Sequence, residues 1–230
     1  MHPKQHEASP RCRVVVLISG RGSNLEAIIE ANRCGNLPIE ICAVISNRPE
    51  APGLEVARCH GIPTEVVDHR RYSARSDFDR ALQDRIDRNR PDLVVLAGFM
   101  RVLGAELIDR YAGRLINIHP SLLPAFPGLR THERALAEGA KQHGATVHFV
   151  THDVDRGPII AQAAVPVLPG DTADTLAARV LIEEHRIYPL AIRWFVEGRL
   201  TVQSGRVLLD GRVDPAQGLA TAASSKVPAN

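Results

Sequence analysis

The sequence predicts an α/β fold: a doubly wound, mostly parallel sheet that ends in a late antiparallel hairpin. Three observations carry this. From residue 13 to 119, short β-branched apolar runs alternate with helix-periodic segments, and that rhythm implies parallel pairing through right-handed crossovers. The strands read as continuous apolar runs, as strands covered on both faces do. After residue 128 the rhythm breaks, and two strand-like runs follow one another with only a short loop between them. The 230 residues, 44% hydrophobic, suffice for one substantial core. A single domain over 13–210 is expected, with a nucleotide-side half to about 112 and a second half from 113. A flexible extension (1–12) would precede it and a tail low in large apolars (211–230) would follow.

Each element has its own warrant. "RVVVLIS" (13–19) is the first strand, followed by the glycine turn "GRGS" and a helix over "NLEAIIEANR" with Leu25, Ile28 and Ile29 on one face. "IEICAVIS" (39–46) is the second strand, 53–61 a short helix closed by glycine, and 64–68 the third strand. Residues 76–89 form an amphipathic helix with Phe78, Leu82 and Ile86 on its apolar face. "DLVVLAGF" (92–99), a helix at 104–113 and "RLINIH" (114–119) complete the parallel part. A helix is expected at 131–140, strands at 144–151 and 158–168, and a long helix over 171–199. Asp171 or Thr172 would cap that helix, and Pro189 would kink or interrupt it. A small hairpin over 201–211 ends the fold.

Composition excludes several classes. Net charge is +2, from 28 basic and 26 acidic residues, which argues against a nucleic-acid surface as the main business. The N-terminus has no apolar core of a signal peptide, and no run approaches 18 apolar residues, so no membrane partner is expected. The four cysteines (12, 34, 42 and 59) contain no C-x-x-C pair. Cys12 and Cys42 read as buried strand residues, and a reducing cytoplasm fits best.

Three constellations carry potential chemistry. In "SGRGSNLEAI" (19–28) a glycine-rich turn joins a buried strand to a helix. Backbone N–H groups there can hold an anion, with Ser23 and Asn24 adding donors. The turn lacks the Gly-Lys-Ser/Thr of a P-loop, and the second strand ends in "SNR" without an acidic residue for a dinucleotide ribose. The two readings are a phosphate monoester site and a plain turn with a helix start. In "LINIHPSLLPAFPG" (115–128), Asn117 and His119 share one face of a strand, while Ile116 and Ile118 point to the other. At a carboxyl strand end an amide and an imidazole can donate to an oxyanion and move a proton, or the histidine can simply be a satisfied core residue. In "THDVDRGPI" (151–159), either aspartate would orient His119 if it reached the ring, although loop aspartates are ordinarily turn formers. His148, His152 and Asp155 have the count of a metal ligand set. Their i, i+4 spacing needs a helix, and this segment reads as strand and loop, so no metal is expected.

These blocks, together with "DLVVLAGFMRVL", "THERAL", "GATVHFVTHDVDRGPIIAQ" and "EEHRIYP", resemble the phosphoribosylglycinamide formyltransferases over about residues 13–210, in the same order. The resemblance implies the Rossmann-like formyltransferase fold and a reaction of purine synthesis. A formyl group passes from 10-formyltetrahydrofolate, the one folate co-substrate, to the amine of glycinamide ribonucleotide. It implies a catalytic trio of Asn117, His119 and Asp155. Gly22, Ser23 and Asn24 would hold the substrate phosphate, with Glu184 and Pro120 at its amine and ribose. Arg75, Met100, Arg101, Val102, Leu103 and Asn117 would meet the folate, with Thr151, His152, Asp153, Val154 and Asp155 forming its other wall. The charge develops on one oxygen between two donors, so no metal is called for. Arg21, between the glycines, either adds positive charge near the phosphate or points to solvent. A monomer or a homodimer is compatible with the sequence.

Two relatives and one other class compete. A formyltetrahydrofolate deformylase usually has an N-terminal regulatory domain, for which 12 residues leave no room. A methionyl-tRNA formyltransferase has a C-terminal RNA-binding domain, and the tail here is short and carries little basic charge. A non-catalytic folate- or nucleotide-binding module would not need the intact Asn117, His119 and Asp155.

Overall fold

A computed structural model describes residues 11–213. The expected N-terminal extension and C-terminal tail lie mostly outside the described residues. Seven strands form one sheet: β1 (Cys12–Ile18), β2 (Ile39–Ser46), β3 (Thr64–Val66), β4 (Leu93–Leu96), β5 (Leu115–His119), β6 (Gln142–Phe149) and β7 (Ile159–Pro166). Their order is β3-β2-β1-β4-β5-β6-β7. The first five run parallel, β6 is antiparallel to β5, and β7 is antiparallel to β6. This is the doubly wound sheet with a late hairpin that the rhythm of the sequence implies.

Helices cover both faces. On one side α1 (Ser23–Arg33), α2 (Gly53–Cys59) and α6 (Ala173–Val196) enclose a core containing Val14, Val16, Ile18, Ile116 and Ile118. On the other, α3 (Arg75–Arg88) and α4 (Ala105–Arg110) pack Phe78, Leu82, Ile86 and Leu107 against Val15, Leu17, Val94 and Leu115. The core strands are therefore apolar on both faces, as continuous hydrophobic runs require. The helix α5 (Thr131–Ala137) precedes β6. Cys42 is buried, Cys12 only partly so, and all four cysteines are free.

Two details differ from the sequence reading. First, α6 is one continuous 24-residue helix that contains Pro189. The proline frees one carbonyl a turn earlier, but the stripe Leu176, Val180, Ile187, Tyr188, Ala191 and Ile192 is buried on both sides of it. Packing outweighs the lost bond. Second, the closing hairpin has a third strand: β8 (Leu200–Gln203), β9 (Arg206–Leu209) and the two-residue β10 (Arg212–Val213) form a separate small sheet. Thr172 is the α6 cap, in a reciprocal capping box with Thr175. A single 3-10 turn at His69–Arg71, unforeseen in the sequence, follows β3 and is capped by Asp68.

Tyr188 pins α6 to the middle of the sheet. Its hydroxyl lies 2.8 Å from the Leu96 carbonyl, at the end of β4, and 3.3 Å from that of Ile116 on the neighbouring β5. Glu184, four residues earlier, lies on the same helix face.

Candidate active site

The strand order reverses direction between β1 and β4, the place where open α/β sheets leave a crevice for ligands. On the β1 side, the chain leaves Ile18, turns through Ser19–Gly22 and enters α1. Gly22 takes φ 84°, a left-handed conformation that suits glycine, and no side chain caps the helix. The first-turn N–H groups of α1 are therefore not occupied by a capping side chain, as an anion site requires. Ser23 is half-buried, and Arg21 is exposed. Asn24 is buried, and its amide nitrogen donates to Glu184 Oε2 at 2.6 Å, while its Oδ1 has no partner. Burial pushes the Glu184 carboxyl above its ordinary pKa. Glu184 joins the glycine turn to α6 and places a buried acid at the crevice.

On the β5 side, Asn117 and His119 face away from Ile116 and Ile118, as the period of two demands. His119 is 6% exposed. Its Nδ1 lies 3.5 Å from Asp155 Oδ2, and its Nε2 lies 3.0 Å from the Phe126 carbonyl. Asp155, 36 residues downstream in sequence, reaches the ring because the segment after β6 folds back across the sheet. That segment begins with Val150 N–H donating to the Leu115 carbonyl. Asp155 takes φ 56°, a left-handed value that aspartate tolerates better than most residues, and its Oδ2 also accepts from Gly128 N–H at 2.8 Å.

His148 completes the cluster in a role the sequence did not suggest. It is buried on β6, directly opposite Asn117. Its Nδ1 lies 2.9 Å from the Phe149 carbonyl and its Nε2 3.2 Å from Asn117 Nδ2. A neutral ring that donates through Nδ1 accepts through Nε2, so the Asn117 amide turns its nitrogen toward His148 and keeps a second N–H for the crevice. Burial lowers the His148 pKa, which favours that neutral form. His152 does not converge with this group. It is exposed and pairs with Asp109 at 2.8 Å. Among the described residues no His, Cys, Asp and Glu side chains cluster in a way that could hold a metal ion.

The proline segment after β5 is held by a polar scaffold. Thr146 Oγ1 donates to the Ser121 carbonyl at 2.6 Å and accepts from Leu123 N–H, and Gln162 Nε2 donates to both the Leu123 carbonyl and Thr146 Oγ1. Thr131 donates to the Pro120 carbonyl and Arg134 to that of Pro127. Phe126 lies at φ 54° beneath the Arg134 guanidinium. Prolines restrict the segment, and these side chains from α5, β6 and β7 fix where it goes.

The residues expected to meet a folate line the loop after β4. Met100 and Val102 are 66% and 55% exposed, apolar side chains left open at the crevice, and Leu103 is buried beneath them. Val154, across the crevice, is also exposed. The Arg101 guanidinium lies over the Phe78 ring at 5.8 Å. Arg75 is not a free surface charge: it donates to the Leu103 carbonyl and pairs with Asp79 at 3.4 Å, beside a cavity of about 300 Å³. Sequence reasoning missed Ser19, which ties the two loops together. Its hydroxyl accepts from Met100 N–H at 2.7 Å and donates to Asn47 Oδ1 at 2.6 Å.

Comparison with known proteins places this geometry. Residues 12–192 match the formyl transferase family. The chain is 51% identical over 207 residues to the phosphoribosylglycinamide formyltransferase of Escherichia coli K12, covering 90% of this chain and 98% of that one. Glycinamide ribonucleotide transformylase 1 from Symbiobacterium toebii superposes with a TM-score of 0.87 at 49% identity, over 90% of this chain and 98% of the other. A formyltetrahydrofolate deformylase from Pseudomonas syringae shares the fold at a TM-score of 0.82 but only 28% identity, and just 66% of that chain is covered. The phosphate-type turn, the Asn117–His119–Asp155 cluster and these likenesses lead to one assignment: the chain belongs to the formyl transferase family, among its phosphoribosylglycinamide formyltransferases.

Proposed function

We propose that the protein transfers the formyl group of 10-formyltetrahydrofolate to the amine of glycinamide ribonucleotide, in purine synthesis in the cytoplasm, with Asn117, His119 and Asp155 as its catalytic residues. The observation that carries this reading is the placement of His119, with one ring nitrogen toward a buried carboxylate and the other available to a carbonyl oxygen. The ribonucleotide phosphate sits at the first turn of α1 on Gly22 and Ser23, with the Asn24–Glu184 pair toward its amine and Pro120 near its ribose. The folate lies between the 100–103 loop, Arg75 and residues 151–155.

The amine attacks the formyl carbon, and the carbonyl oxygen becomes an oxyanion. The free N–H of Asn117 and the His119 ring donate to it, each such donor being worth about 3 kcal/mol. Asp155 orients His119 through its Nδ1. The Phe126 carbonyl occupies Nε2 here, so donation from that nitrogen exchanges the loop carbonyl for the formyl oxygen. Glu184, whose pKa is raised by burial, is suited to accept a proton from the attacking amine. The intermediate then collapses: the carbonyl re-forms, the C–N10 bond breaks, and N10 leaves with one proton, balancing the one the amine gave up. Holding both substrates in the crevice contributes roughly 7–11 kcal/mol through proximity.

A two-substrate assay tests this. Formyl-folate consumption is followed by absorbance with and without glycinamide ribonucleotide. Turnover that requires the ribonucleotide and yields its formylated amine is expected. Turnover without it identifies a deformylase, and none with both identifies a binding module.

A further inference from the structure

Gly53, the first residue of α2, belongs to no segment assigned above to a substrate, yet it touches the phosphate turn twice. Its N–H donates to the Gly20 carbonyl at 3.0 Å. A methyl group placed on Gly53 would stand 3.1 Å from that carbonyl oxygen, 3.1 Å from Gly22 Cα and 2.8 Å from Ile18 Cδ1. Conversely, a methyl group on Gly22 would stand 2.7 Å from Gly53 Cα, at a backbone φ of 84° that disfavours any side chain. Each glycine occupies its place because the other has no side chain. The three conflicts at Gly53 differ in kind. Ile18 Cδ1 is the mobile end of a side chain and can turn aside. Gly20 and Gly22 are backbone, and they are the turn itself.

We propose that Gly53 is a positioning residue for the ribonucleotide: by lacking a side chain it lets the Gly20–Gly22 turn lie against the start of α2, and so sets where the N–H groups of the first turn of α1 point. The proposal rests on the reading of that turn as the substrate-phosphate site. A side chain at 53 displaces the turn by a few tenths of an ångström while the β5 cluster and the 100–103 loop stay in place. Since a misplacement of about 1 Å can cost about 100-fold, Gly53→Ala should raise KM for the ribonucleotide about ten-fold, and Gly53→Val more. KM for the folate and kcat at saturation should stay near those of the parent protein.

The test is steady-state kinetics on Gly53→Ala, Ile18→Val, the double variant and Ser23→Ala, with a thermal melt of each. Ile18→Val removes Cδ1 and with it only the core conflict. The proposal requires that the ribonucleotide KM stay raised in the double variant. Full rescue by Ile18→Val would reduce Gly53 to a core-packing residue and overturn it, as would an equal rise in both KM values or a fall in kcat alone. If Ser23→Ala raises the ribonucleotide KM and Gly53→Ala does not, the proposal fails and the phosphate reading stands. If neither raises it, the phosphate reading itself fails, and the proposal with it. The double variant also serves as the measurable species if Gly53→Ala alone does not fold.

Discussion

The glycine turn before α1 presents backbone, whereas the cluster across the crevice is made of side chains, and the two depend on different things. Gly22 and Gly53 shape the turn by what they lack, at two positions where a Cβ would collide with backbone. Asn117, His119, His148 and Asp155 come from β5, β6 and the loop beyond, and each is aimed by a hydrogen bond or ion pair from another segment. Under the proposed function the first arrangement would bind a group that does not change during the reaction, and the second would face the atoms that do. Damage to the turn should therefore appear in KM for one substrate, and damage to the cluster in kcat.

His119→Ala breaks the comparison hardest if it is wrong. Removing the ring takes away a donor and a proton carrier together, and a fall in kcat of about 1,000-fold or more is expected, with both KM values within about three-fold. The single-turnover rate under saturation reads this directly. A near-normal rate with a raised KM would move His119 to the binding side, and the division between the two halves would collapse.

Asp155→Asn should have the intermediate effect. The shape is kept, but the negative charge 3.5 Å from Nδ1 is lost, and the oxygen that accepts from Gly128 N–H must be kept by the correct amide orientation. About a 100-fold drop in kcat is expected, with the ribonucleotide KM unchanged. A near-normal kcat in Asp155→Asn would detach Asp155 from the histidine.

Much of this architecture was legible in the sequence because it is local. The parallel strands announce themselves as apolar runs, and Asn117 and His119 share a face by simple alternation. The turn at 19–24 is readable because a strand, two glycines and a helix start are contiguous. What was not legible depends on contact between distant segments. Nothing in "HGATVHF" says that His148 will face Asn117 rather than serve as a metal ligand; that follows from the β5–β6 register. Ser19 looks like part of a turn until Met100 and Asn47 arrive from two other loops. Pro189 does not interrupt α6 although its local cost is real, because the burial of the α6 stripe on both sides outweighs it. The approach of Asp155 to His119 came from family resemblance, and its left-handed backbone is the structural device that permits it.

The smallest effect concerns the support of the proline segment after β5. His143, on β6, is 1% exposed, and neither ring nitrogen has a partner. Its ring meets Phe126 edge-on at 5.7 Å and His132 at 5.1 Å, directly beneath the carbonyl-bearing segment that holds His119. Burial, and then the neighbouring His132, lower the His143 pKa to about 4, whereas an unfolded histidine titrates near 6.5. The unfolded chain therefore takes up this proton first as pH falls. The contribution of His143 to stability is complete above about pH 6.5 and is lost progressively down to about pH 4, on the order of 3 kcal/mol in all. His132 is shifted in the same direction, mainly by its own burial. His143→Leu keeps an apolar group against Phe126 and removes the titration. Urea unfolding at a series of pH values should then show a shallower loss of stability across this window, by up to about one proton's worth of slope, with kcat near neutral pH little changed. An unaltered slope would place the acid sensitivity elsewhere, His148 being the next buried histidine whose pKa burial lowers.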